Sequence, residues 1–207
     1  MIKEDALERA WQALFEGKHK EAKELVIQLR ETSFSSLNLQ SYLALEEKDY
    51  SAAHAFLDEY YDRALAEQDL EHQHIGLHQL AMLAREEEDF QIAKNLLEKE
   101  AQIIDNHFPD DGLKKSVNLY ERGYLQFKLG HLGLAYKLLK ENVALALLTD
   151  DLVNRACAYR ALGEVLLAKN RRQLAKEHFQ IAMDYFEQAE NTVALREVET
   201  LLTKCNL

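Results

Sequence analysis

One pattern recurs along this chain at a nearly fixed distance. Ala22, Ala53, Ala93, Ala135 and Ala175 each follow a polar turn, and each is followed four places on by a large apolar residue: Val26, Leu57, Leu97, Leu139 and Phe179. The alanines lie 31, 40, 42 and 40 residues apart. Twelve places before each stands a small residue: Ala10, Ser41, Ala81, Gly123 and Gly163. A four-residue step puts two side chains on one face of a helix. A small residue at a fixed place upstream marks where a preceding helix crosses close by, with the alanine expected to pack against it. The unit is a pair of helices folded back on each other. It cannot bury its apolar face alone and must stack on its neighbours.

Composition agrees with helices throughout. Seven Gly and one Pro stand in 207 residues, where average usage would supply about 25. That shortage excludes β-sandwiches and barrels, which need frequent turn residues, and nucleotide folds with a glycine-rich phosphate loop. First helices are predicted at about 4–16, 35–47, 71–87, 113–129 and 151–169, and second helices at about 20–31, 51–67, 90–105, 132–148 and 172–188. A last helix, 192–205, puts Ala194, Leu195, Val198, Leu201 and Leu202 on one face and Arg196, Glu197, Glu199 and Lys204 on the other. It reads as a cap over the end of the stack. Connections are short, with 106–112 the longest, and no linker-like stretch divides the chain. The expectation is one all-α domain over 1–207, with helix pairs at 4–31, 35–67, 71–105, 113–148 and 151–188.

The net charge of −11 repels phosphate, so no nucleic acid partner is expected. The charge is uneven, at −14 over residues 1–111 and +3 over 112–207. Two cysteines, Cys157 and Cys205, are too few for a secreted disulfide framework. The opening residues lack the apolar core of a signal peptide, and no stretch nears 18 consecutive apolar residues, so no membrane span is expected. A reducing cytoplasm is the expected location.

The fifth unit is the most specific. Tyr159, Leu162, Gly163 and Leu166, then Ala175, Phe179 and Ala182, follow the W-x2-L-G-x2-Y…A-x3-F arrangement with Tyr159 at the Trp position. The closing proline is absent, with Glu187 in its place. On these residues the chain resembles a tetratricopeptide repeat (TPR) protein. The resemblance implies a right-handed superhelix of αα-hairpins whose first helices line a concave face. The usual period of 34 is exceeded in three of four spacings. Long, degenerate repeats of this kind are similar to those of the Rap-type and PlcR-type peptide-sensing regulators of Gram-positive bacteria. That narrower resemblance implies a peptide ligand in the groove.

No catalytic signature is present, neither G-x-S-x-G, H-E-x-x-H, C-x-x-C nor a Walker loop. His72, His74 and His78 include an i, i+4 pair that could ligate a metal, but no further ligand stands nearby, and polar decoration of a groove-facing helix is the preferred reading. No metal, cofactor or enzyme activity is expected. Glu86 to Glu88 read as a solvated turn, with Asp89 and Asp49 as helix caps.

Inward positions are read three before and one after each small crossing residue. They give Leu7 and Trp11, Asn38 and Tyr42, His78 and Met82, Tyr120 and Tyr124, and Arg160 and Glu164. One turn further lie Leu45, Arg85, Phe127 and Leu167. Asn38, Tyr42, His78, Met82, Arg85, Tyr120, Tyr124, Phe127, Arg160 and Glu164 form the candidate peptide-binding face, with Trp11 read as core. Tyr, Met, His and Arg suit recognition surfaces because they offer area with a polar tip. Asn38 could hold a peptide backbone and Arg160 a carboxylate. The expected function is a non-catalytic, protein-interaction scaffold for a peptide or extended protein segment, serving a signalling or regulatory role. The alternative is a structural part that forms homo-oligomers through its ends or convex face.

Overall fold

The computed structural model describes residues 2–29 and 32–205. Within them eleven α-helices follow one another with no strand: α1 (Ile2–Phe15), α2 (His19–Leu29), α3 (Phe34–Glu46), α4 (Tyr50–Ala66), α5 (Leu70–Glu86), α6 (Phe90–His107), α7 (Gly112–Lys128), α8 (Leu132–Ala146), α9 (Leu152–Ala168), α10 (Arg172–Gln188) and α11 (Thr192–Lys204). The helices fall where they were expected, and α1 with α2, α3 with α4, α7 with α8 and α9 with α10 pack as the expected pairs. The predicted end of the first pair at residue 31 lies outside the described residues.

One connection differs. Helix α8 ends at Ala146, two residues early, so residues 147–151 form a longer link than residues 108–111. The last turn tightens there. The Leu148 and Thr149 amides donate to the Leu145 and Ala146 carbonyls, and the Thr149 hydroxyl also donates to Ala146.

The turns explain how so few glycines suffice. Each of seven turns needs one residue with a left-handed backbone. Gly17 and Gly130 supply two, and Lys48, Gln68, Glu88, Asn170 and Glu190 supply the rest with φ between 55° and 65°. The next amide then closes back onto the helix, as Asp49 to Ala44, Asp69 to Ala64 and Asp89 to Ala84, each near 2.8–2.9 Å. That next residue starts the following helix. The side chains of Asp49, Asp69 and Asn191, like Ser33, Asp111 and Asp151 elsewhere, accept from the amide three places on. Stop and start signals thus share adjacent residues, and the links stay short. Asp49 caps as expected, and Glu88 of the acidic run is the left-handed residue itself.

The chain forms two compact units, Met1–Ile103 and Ile104–Leu207, divided within α6 rather than at a linker. In the first, α1 packs on α2 and α3 on α4, while α4 packs on α5. Its apolar interior includes Ala10, Ala22, Val26 and Leu43 around α1–α3, and Ala53, Leu57 and Leu83 further along. Trp11 is half-buried and packs against the first of these groups, in line with the core reading. Its ring meets the edge of Tyr42 and stacks on exposed Phe15, and its Nε1 donates to Ser35 Oγ at 2.9 Å.

In the second unit α7 pairs with α8, α9 with α10, and α10 with α11. One apolar cluster joins Leu139, Leu162, Leu166, Phe179 and Phe186 to Val198 of α11. The remaining charged residues of α11 face outward as expected of a cap: Arg196, Glu197, Glu199 and Lys204 are exposed.

All five recurring alanines and their apolar partners are buried. The crossing itself differs from the expectation. The space above Gly163 is filled by the Phe179 ring, 2.7 Å from where a Cβ would stand, and that above Gly123 by Leu139 at 2.8 Å. The small residue therefore makes room for the large residue four places past the alanine.

Candidate functional site

The forty-residue period has a direct geometric result in the second unit. Helices α7 and α9 carry equivalent residues side by side, so Tyr120 meets Arg160 and Tyr124 meets Glu164. Five of the expected site residues come together here. Tyr120 and Tyr124 stack with ring centroids 5.8 Å apart and planes 7° from parallel, and Phe127 follows at 5.7 Å from Tyr124. Their i, i+4 and i, i+3 spacing on α7 makes this an aromatic stripe.

Arg160 crosses that stripe from α9. Its Nη2 donates to Tyr120 Oη at 2.9 Å, and its Nη1 donates to Glu197 Oε2 at 3.0 Å. Its Nε lies 3.8 Å from Glu164 Oε1. Tyr124 Oη donates to Glu164 Oε2 at 3.3 Å, and Lys128 Nζ sits 5.5 Å from the Tyr124 ring centre. Arg160 and Glu164 side chains are 20% and 15% exposed, against 58% for Glu197. The guanidinium and carboxylate are thus set in an aromatic wall with one edge open.

Burial governs the electrostatics. It pushes the Tyr120 hydroxyl above its ordinary range, although the Arg160 charge acts the other way. Burial also raises the Glu164 carboxyl, opposed by Arg160 and by the hydrogen bond from Tyr124. The Tyr120 oxygen and the surrounding acids hold Arg160 firmly cationic. Cys157, half-buried nearby, has its thiol raised by burial and is a poor nucleophile. The arrangement offers flat aromatic area, a fixed cation and a shielded carboxyl, which suits recognition of an extended chain.

The expected fork of Arg160 is not open. Tyr120 and Glu197 already take its two terminal nitrogens. Glu197 stands on α11, which sequence reading treated only as the outer face of a cap. A ligand carboxylate at Arg160 would compete with Glu197 for its remaining N–H donors.

The other expected residues lie in the first unit. Tyr42 Oη accepts from Gln79 Nε2 at 3.1 Å. His78 Nδ1 is 3.3 Å from Glu100 Oε1, and Glu100 is only 1% exposed. Arg85 is buried, with Nη1 on Glu86 Oε1 at 2.5 Å, so it has little to present. Asn38 is half-buried, and among the described residues no donor reaches its Oδ1. Met82 is half-buried. The histidine trio does not converge. His72 stacks on Phe34 at 3.8 Å and binds Asp69, His74 is buried beside Glu71, and among the described residues no three His, Cys, Asp or Glu form a metal-sized group.

Two further polar features were missed. Glu100 follows Ala93 and Leu97 and precedes Ile104 on a buried stripe, so a charge at that step was the available signal. Asn142 holds the same place after Ala135 and Leu139. Its amide donates to the Ser116 carbonyl at 2.6 Å and hydroxyl at 3.0 Å, and Ser116 in turn bonds Asn154. This buried network ties α7, α8 and α9 together below the aromatic stripe.

The fold is similar to solved helical-repeat structures. A kinesin-light-chain-like protein of Podosopora anserina with nearly identical TPR-like repeats matches at TM-score 0.58 and 20% identity, over 91% of this chain and 96% of its own. BtubC (BKLC) from P. vanneervenii matches at 0.60 and 15%, over 100% and 87%. Cut9, in the APC/C Cut9–Hcn1 hetero-tetramer, matches at 0.60 and 18%, over 95% of this chain and 34% of that one. No protein-family model and no curated protein sequence matches the chain. At these identities the likeness is one of fold.

Proposed function

We propose that this chain, a protein of the tetratricopeptide-repeat fold, is a non-catalytic protein-interaction scaffold that binds a peptide or extended protein segment on the face formed by α7 and α9. The observation that carries this reading is the Tyr120–Tyr124–Phe127 stripe crossed by Arg160 and Glu164. Stacked tyrosines lose little side-chain freedom on binding, and a preset guanidinium adds direction. The cost of ordering these groups is met by the fold and not by the ligand.

The test begins with peptides selected from a random display library on the native chain. Calorimetry on those peptides should show at least ~10-fold weaker binding to Tyr120→Ala and Arg160→Ala, the loss expected of interface anchors. Equal affinity for both variants would remove the site assignment.

A second reading rests on a different observation. Leu148, in the link after α8, is 83% exposed, and its neighbour Leu147 is 43% exposed. Such a pair on a surface suits contact with another copy. Light scattering decides it, since Leu148→Asp should dissolve any oligomer that this link holds.

A further inference from the structure

The first repeat spacing is the short one, 31 residues against 40 to 42 for the others. Its effect is visible in α2, which has 11 residues where α4 and α10 have 17. Helix α2 packs only lightly on α3, whereas α4 packs extensively on α5. A pocket opens where packing is thin. It has a volume of about 230 Å³ and is walled by Val26, Ile27, Leu43, Ala44 and Phe56. Ile27 is 65% exposed at its edge.

The size selects the occupant. Small-molecule sites commonly span about 300–1,000 Å³, while a cavity of about 150 Å³ holds benzene. This pocket fits one large apolar side chain. Its polar rim is Lys23, Gln40, Glu47 and Asp49. Lys23 Nζ donates to both Glu47 oxygens at 2.9 and 2.7 Å, but both side chains are half exposed. An exposed ion pair of this kind contributes little and opens readily. Glu47 then joins Asp49 facing the solvent.

Charge complementarity names the partner. Residues 1–103 hold 22 acidic against 11 basic side chains, and residues 104–207 hold 14 of each. The whole net charge of the protein therefore belongs to the unit that carries the pocket. Such a field draws in cationic partners and repels acidic ones.

We infer that the pocket between α2, α3 and α4 is a second docking site, which takes an apolar anchor residue from a basic protein segment. It is separate from the α7–α9 face and stands whether or not that face binds peptide.

The test uses the full chain and two fluorescein-labelled peptides of about ten residues. Each has a central leucine–phenylalanine pair, flanked by lysines in one and by glutamates in the other. The lysine peptide should bind and the glutamate peptide should not. Binding should weaken at least ~10-fold between about 50 mM and 300 mM salt, as screening removes the long-range field. Ile27→Lys, a change at an exposed position that the fold tolerates, should weaken it at least ~10-fold, while Arg160→Ala leaves it unchanged. Methyl NMR shifts should centre on Val26, Ile27 and Leu43. Equal binding of the glutamate peptide, shifts centred on Leu167 or Val165, full affinity in Ile27→Lys, or no binding of the lysine peptide at millimolar concentration would each overturn the inference.

Discussion

Two residues show how single positions fix this molecule. Gly163 sits under the fully buried Phe179 ring, and a Cβ there would stand 2.7 Å from it. Alanine favours a helix over glycine by about 1 kcal/mol. Overpacking a tight core costs about 1–3 kcal/mol and wins here because the ring has nowhere to go. Gly163→Ala should therefore destabilise by about 1–2 kcal/mol in urea unfolding, with most of the loss recovered in a Phe179→Leu background. The small residue's importance was readable from its recurrence. Its partner was not, because sequence spacing cannot say which of two residues one turn apart lies over a crossing point.

Glu164 gives the pH dependence. Burial raises its pKa in the fold, so the protonated form stabilises the native state. That contribution is complete below the ordinary carboxylate pKa and is lost as pH rises through the raised one. Glu164→Gln lacks the titration. Relative to the native chain, this variant should gain stability as pH rises above the ordinary glutamate pKa of about 4.3 in denaturant titrations. A constant difference would mean that the carboxyl behaves as a solvated one.

At the scale of the helix and its turn, the shared stop-and-start signal is the main device. Five turns place a residue with a side chain in the left-handed region, at a cost of about 1 kcal/mol each. Glu88→Gly and Glu190→Gly should each raise Tm by about 2–4 °C, less what glycine adds to the freedom of the unfolded chain. The caps act in the opposite sense. Asp151→Ala removes the acceptor for the Asn154 amide at 2.7 Å and should cost about 1 kcal/mol. Helix positions were legible because the alanine stripe and these polar turn residues agree. Left-handed turns at Lys48 or Gln68 were not, since neither residue type signals that conformation. The buried polar groups, Glu100 and Asn142, interrupt an apolar stripe, and they were passed over because the stripe was read for its apolar members alone.

At the scale of the whole chain, the repeat legible in the sequence gave the right fold class, and the structural likeness to TPR-type proteins agrees with it. The candidate face was legible only in part. The rule of three before and one after the crossing residue found Tyr120, Tyr124, Arg160 and Glu164, because a forty-residue period sets them in one layer. It could not find Glu197, which acts from a helix outside the repeat pattern. The added step of one turn further placed Arg85 on the face, whereas its guanidinium is buried beside Glu86. The shortened first spacing was legible, but the pocket at α2 that goes with it was not, because spacing does not show how lightly α2 packs on α3.

On the proposed function, the face made by α7 and α9 is the working surface, not the outer face of the second helices. Photo-cross-linking tests it directly. Benzoylphenylalanine is introduced at Phe127 on α7 or at Leu134, an exposed position on α8, and a peptide selected on the native chain is added. Position 127 should give a covalent adduct that free peptide competes away, and position 134 should give none. Adducts from 134 alone, or equally from both positions, would contradict the proposed function.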